Sequence, residues 1–189
     1  METLIIFDWD DTLLPTTWLE NQNPDSITLD IMDTNSTSVI RVLTEAQKYG
    51  TVMIITNAQK GWVEESCRRY MPQCVPILET IVILSARTTY EWIFEDSPYT
   101  WKIFAFQIAS INSNHVLSIG DMDIERRATL KLDSAILAKS IKLEESPTLE
   151  TLLHQLDKLT ALFQEIIEFE GDIDIHLKEL KTTSKRSQA

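Results

Sequence analysis

The chain has 189 residues, which suits one domain with a full core and leaves little for a second. Apolar residues make up 43% and charged residues 24%, the balance of a soluble globular protein and not of a disordered or fibrous one. With Lys+Arg 17 against Asp+Glu 29 the net charge is −12, which argues against nucleic acid and anionic membranes as partners.

The two cysteines, Cys67 and Cys74, form no Cys-x-x-Cys pair, and no four-ligand zinc set exists. Free thiols in a reducing, cytoplasmic compartment are the expected setting. No basic region with a following apolar core predicts a signal peptide, and no apolar run approaches membrane-spanning length. The one basic cluster, Lys178, Lys181, Lys185 and Arg186, falls in a tail predicted to be disordered from Thr182.

In chain order, Leu4-Ile5-Ile6-Phe7 reads as a strand buried on both faces, running into Asp8, Asp10 and Asp11. Acids at such a strand end sit where open parallel sheets place a ligand crevice. Asp8 and Asp10 are two apart, so an extended backbone points them the same way. That pair suits a divalent cation or nucleophile-and-acid work; the plain alternative is an acidic turn. Thr16 to Thr34 reads as a loop or short hairpin beside the site. Trp9 and Trp18 flank the acids, either as packing or as an aromatic wall for an aryl substrate.

Ser36, Thr37 and Ser38 offer N-caps for a helix closed by Gly50. Val52–Ile55 is a second strand ending in Thr56-Asn57, and strand, helix, strand predicts a right-handed parallel unit. A hydroxyl and backbone amides at Thr56 can bind phosphate oxygens. Gly61 to Tyr70 reads as a helix and Ile81–Leu84 as a third strand. Ser97-Pro98 opens a helix with Lys102 near its start. Val116–Ile119 is a fourth strand, followed by Gly120-Asp121-Met122-Asp123-Ile124-Glu125. A weaker fifth strand spans Ala135 to Leu143. Ser146-Pro147 starts a long helix with an apolar stripe to Ile167, interrupted at Gly171 and continued by a weaker pattern from Ile173 to Leu180. His115, His154 and His176 show no metal-ligand spacing.

The apolar run with Asp8, Asp10 and Thr12 resembles motif I of the haloacid dehalogenase (HAD) superfamily. Thr56 resembles motif II, Lys102 motif III, and Asp121 with Glu125 motif IV. Met122-Asp123 departs from the family pattern and leaves open whether Asp123 or Glu125 is the second acid; spacing favours Glu125. Ser85-Ala86-Arg87, Tyr90-Glu91 and Trp101-Lys102 also resemble an uncharacterised eukaryote-like HAD group, a pattern that suits a eukaryotic enzyme or a bacterial effector in host cytosol.

The resemblance implies an α/β, three-layer Rossmann-like fold with a central, mostly parallel sheet over 1–168, and bound Mg²⁺. It implies that Asp8 is the nucleophile forming an aspartyl-phosphate and Asp10 the acid and base. Mg²⁺ is implied on Asp8, the Asp10 carbonyl and Asp121. Thr56 and Lys102 would stabilise the phosphoryl oxygens, with Thr12, Asn57 and Glu125 in support. Residues 169–189 are expected to be a C-terminal helical extension and tail, capping the core or docking a partner. No segment has room for a large cap domain. The open site this implies resembles the protein-phosphatase branches, so the expected substrate is a phosphoprotein, on tyrosine. A small-metabolite phosphatase with the Thr16–Thr34 loop as its lid, or an inactive scaffold binding a protein partner, are the alternatives.

Overall fold

The computed structural model describes residues 3–23 and 27–177. The expected tail and its basic cluster lie outside the described residues. Six strands form one all-parallel sheet in the order β3-β2-β1-β4-β5-β6. They are β1 (Thr3–Phe7), β2 (Thr51–Thr56), β3 (Val82–Ser85), β4 (His115–Gly120), β5 (Leu137–Lys142) and β6 (Ile173–His176). Strand β1 is central, with Phe7 opposite Ile54 of β2 and Ile119 of β4. The strand order reverses between β1 and β4, so a crevice opens at their carboxyl ends.

Alternation along β1 divides the core. Ile5 and Phe7 face one layer, formed by α2 (Leu29–Gln47), α3 (Trp62–Tyr70) and α8 (Leu149–Glu168). Leu4 and Ile6 face the other, where Trp101, Ala105 and Phe106 of α6 (Pro98–Ala109) and Ala128 of α7 (Asp123–Leu130) pack. The result is a three-layer, Rossmann-like α/β fold. The remaining helices are short: α1 (Thr16–Glu20), α4 (Val75–Leu78) and α5 (Ala86–Tyr90). Only α1 and α2 intervene between β1 and β2, and only α5 and α6 between β3 and β4, so among the described residues no domain is inserted over the crevice. No helix of the described residues is long and apolar enough to cross a membrane.

Three boundaries differ from the sequence expectations. The segment expected as a loop, Thr16 to Thr34, contains α1 and the first turns of α2, whose N-cap is Thr28. Ser36 and Thr37 are interior, and their hydroxyls bond back to the carbonyls of Met32 and Asp33, which spares them the cost that made them read as caps. Helix α8 starts at Leu149 behind the N-cap Thr148, not at Ser146-Pro147.

The third difference is at the C-terminal side. The expected helical extension is, where described, strand β6, with Ile173 opposite Lys139 and His176 opposite Lys142. Ile173, Ile175 and Leu177 repeat at period two, which the helical reading overlooked. Buried Lys139 ends α8 firmly: its ammonium donates to the carbonyls of Ile166, Ile167 and Phe169 at 2.7, 2.8 and 2.7 Å.

Candidate active site

Asp8 is the first residue past β1 and keeps the strand's register, its N–H donating to the Ile119 carbonyl at 2.9 Å. Its even parity matches Leu4 and Ile6, the side covered by α6. Pro98 opens that helix, and Lys102 is its fifth residue. With Trp101, Ala105 and Phe106 packed on the sheet, the fully buried Lys102 ammonium reaches the strand ends. It donates to Asp8 Oδ1 at 2.7 Å and to Glu125 Oε1 at 2.8 Å.

Glu125 is held from a second direction, its Oε2 accepting the Met122 N–H at 3.1 Å at the start of α7. Asp123 is half-exposed and takes no part in this bridge. The geometry therefore separates the two acids, on the side that spacing favoured: Glu125 is the one in the buried cluster.

Asp121 lies just past β4 and is buried. Its Oδ1 accepts from the Thr12 hydroxyl at 3.3 Å, and its carbonyl from Lys142 Nζ at 2.6 Å. Lys142 also reaches the Leu143 carbonyl and Glu145. Sequence reasoning missed Lys142, although a lysine inside a strand pattern was the available signal.

Asp8, Asp121 and Glu125 offer carboxylate oxygens all within 4.8 Å of one another. Among the described residues the ion pairs of these three acids are those of Lys102 with Asp8 and Glu125. Burial pushes the Asp8 carboxyl up to about 7; Lys102 opposes the shift, while Glu125 and Asp10 add to it. Burial, then the charges of Asp8, Glu125 and Asp11, push Asp121 up to about 8. For Lys102 burial acts against the charge, but Asp8 and Glu125 together outweigh it and hold the ammonium above its ordinary range. An oxygen-only donor set with surplus negative charge fits a hard divalent cation such as Mg²⁺. Both Glu125 oxygens already accept hydrogen bonds, so Asp8 and Asp121 are the side chains with capacity to hold it.

Asp10 is not held by an extended backbone, although its charge still acts on the Asp8 carboxyl. The extended backbone ends at Phe7, and residues 9–14 turn, with the N–H groups of Thr12, Leu13 and Leu14 all directed at the Trp9 carbonyl. Asp11 takes the left-handed conformation there, φ 54°, and its carboxylate holds the N–H and hydroxyl of Thr17. The half-buried Asp10 accepts at Oδ1 from the Thr16 hydroxyl at 2.6 Å and from the Trp62 indole N–H at 2.9 Å.

The aromatic beside the acids is thus Trp62, the first residue of α3. Trp9 and Trp18 make no such wall. Trp9 is fully buried with its indole N–H on the Ser66 hydroxyl at 2.9 Å, and Trp18 packs half-buried against the core.

Thr56 is buried at the end of β2, its hydroxyl accepting the Ala58 N–H at 2.9 Å and ordering the turn into α3. Asn57 donates to the Pro98 carbonyl at 3.2 Å, tying that turn to the start of α6. Its Oδ1 is buried with no hydrogen-bond partner among the described residues. The structure therefore joins Asp8, Lys102 and Glu125 by direct bonds, with Asp121 and Thr12 beside them; Asp10, Thr56 and Asn57 bond to other groups.

No family model, no curated protein and no solved structure matches this chain.

Proposed function

We propose that the chain is a HAD-type, Mg²⁺-dependent phosphomonoester hydrolase working through an aspartyl-phosphate. The observation that carries this reading is the buried Lys102 bridge between Asp8 and Glu125, with Asp121 alongside, at the carboxyl ends of the two central strands.

Asp8, Asp121 and the Asp10 carbonyl would hold Mg²⁺, which when bound supplies charge neutralisation at the phosphoryl oxygens. An Asp8 carboxylate oxygen attacks phosphorus, and the bond to the leaving oxygen breaks with its electron pair going to that oxygen. Asp10 delivers the proton that the leaving oxygen takes up. Water then attacks the same phosphorus, Asp10 takes its proton, and the bond to Asp8 breaks to free phosphate and restore the carboxylate. Lys102 fixes the attacking Asp8 and offers positive charge to the incoming phosphoryl group.

Glu125 keeps Lys102 in place, and Thr56, at the end of β2 on the same sheet edge, would stabilise the phosphoryl oxygens. With no domain inserted over the crevice, a side chain on a protein surface can approach, and phosphotyrosine is the proposed substrate. The two buried, free cysteines suit a reducing compartment such as the cytoplasm.

The test is p-nitrophenyl phosphate hydrolysis with and without Mg²⁺, for the parent and Asp8→Asn. Magnesium-dependent turnover lost in the variant supports the reading. A parent that binds Mg²⁺ yet turns over neither this probe nor phosphotyrosine peptides sinks it in favour of a scaffold.

A further inference from the structure

Beside Asp10 lies a cavity of about 430 Å³. Leu14, Leu19, Ile27, Leu29, Met32 and Tyr70 give its walls an apolar majority, Gln22 and Thr28 add polar groups, and Thr16 and Trp62 stand on the side of Asp10. Both groups that donate to Asp10 Oδ1, the Thr16 hydroxyl and the Trp62 indole, belong to this same wall. The cavity and the acid are thus joined by two hydrogen bonds, and both fall on one carboxylate oxygen. That leaves Oδ2 as the carboxylate oxygen outside both bonds.

We propose that this cavity is the leaving-group subsite, that it takes the aromatic ring of an aryl phosphomonoester, and that Trp62 and Thr16 are positioning residues for Asp10. The chemistry rests on the phosphatase reading; the binding site does not. The volume falls in the range that small ligands occupy, roughly 300–1,000 Å³, and a single aromatic ring fits with room to spare. A hydroxyl-rich sugar would set unpaired polar groups against Leu14, Leu19 and Met32, an unfavourable burial. The charged lining residues, Glu20 and Arg69, are exposed and of opposite sign, so neither sign of charge dominates the cavity. The phosphoryl group lies outside the cavity, beyond Asp10, with Asp8 and Lys102, which do not line it. The expected ring can be that of phosphotyrosine or of a free aryl phosphate, which share this chemistry.

The experiment has a binding arm and a turnover arm. In the binding arm, Asp8→Asn with Mg²⁺ is titrated with 1-naphthyl phosphate and with methyl phosphate, following the indole N–H signals by NMR. The Trp62 signal is identified by its loss in Trp62→Phe. The naphthyl ester is expected to move the Trp62 signal and to bind about tenfold or more tighter than the methyl ester, the scale of discrimination an apolar pocket gives. Ile27→Tyr narrows the cavity from its half-buried rim, where the hydroxyl stays in water, and should abolish most of that preference. Equal binding of the two esters with an unmoved Trp62 signal overturns the subsite, whether or not the parent is a phosphatase.

In the turnover arm, Trp62→Phe keeps the ring and removes the donor. It should slow alkyl phosphates, whose poor leaving groups need the proton, about tenfold more than nitrophenyl phosphate. An equal loss for both, or no turnover in the parent, overturns the positioning role. Tyrosine and serine phosphopeptides of one sequence separate the two sources of the ring. Preference for the tyrosine peptide over 1-naphthyl phosphate assigns the cavity to a protein side chain, and the reverse order assigns it to a free aryl ester.

Discussion

Gly120 lies directly against Glu125: a Cβ at position 120 would come within 2.4 Å of Glu125 Cγ and 2.8 Å of its Cβ. The last residue of β4 must therefore be bare for the α7 glutamate to reach Lys102. Glu125 is positioned less by its own helix than by the missing side chain beneath it. The substitution Gly120→Ala should push Glu125 off Lys102, and overpacking of this kind costs about 1–3 kcal/mol. Turnover should fall about 10–100-fold, the usual effect of disturbing a residue that orients a site. Thermal melting and kcat check both; unchanged values for each would mean that Glu125 does not depend on this contact.

Lys102 compensates two buried carboxylates at once. Lys102→Met should cost roughly 3–5 kcal/mol, because it leaves Asp8 and Glu125 as buried charges without a partner. Adding Asp8→Asn and Glu125→Gln to that variant should return most of the loss. Urea titrations of the four proteins in the cycle measure this. If the triple variant is no more stable than Lys102→Met, the loss comes from packing and not from orphaned charge.

The acid cluster gives a pH dependence with a definite sign. Asp8 and Asp121 are raised in the folded protein, to about 7 and about 8, from an ordinary 3.8. The folded state then holds protons that the unfolded chain has released, so this contribution is complete below about pH 4 and is lost as pH rises through 7 to 8. Metal-free protein should therefore melt at a lower temperature at pH 9 than at pH 6. Magnesium favours the charged carboxylates and should raise the melting point more at pH 9. Calorimetry across this range, with and without Mg²⁺, tests the claim. Equal Mg²⁺ shifts at both pH values would rule it out.

Lys139 makes the far end of α8 a second site of dependence on one buried ammonium. Lys139→Met should strand three carbonyls and destabilise the protein by about 1–3 kcal/mol. Amide exchange should rise first in β6 and at the α8 C-terminus. Protection that falls evenly across the sheet would show that this end does not open separately.

The first five strands and the helices α2, α3, α6 and α8 were legible in the sequence, because buried parallel strands are unbroken apolar runs and the longer helices carry one stripe. The chain also marked most of the acid cluster, since Asp8 and Asp121 stand directly after such strands and Glu125 stands four residues on. It could not show which aromatic meets Asp10: Trp9 is nearest in sequence, but the turn at Asp11 sends its ring into the core and brings Trp62, 52 residues away, onto the carboxylate. At the end of the sheet the period-two repeat of Ile173, Ile175 and Leu177 was there but short, and the pairing with β5 decides. Local periodicity records what each segment buries. Which buried groups then meet depends on contacts between distant segments, and only the tertiary structure determines those.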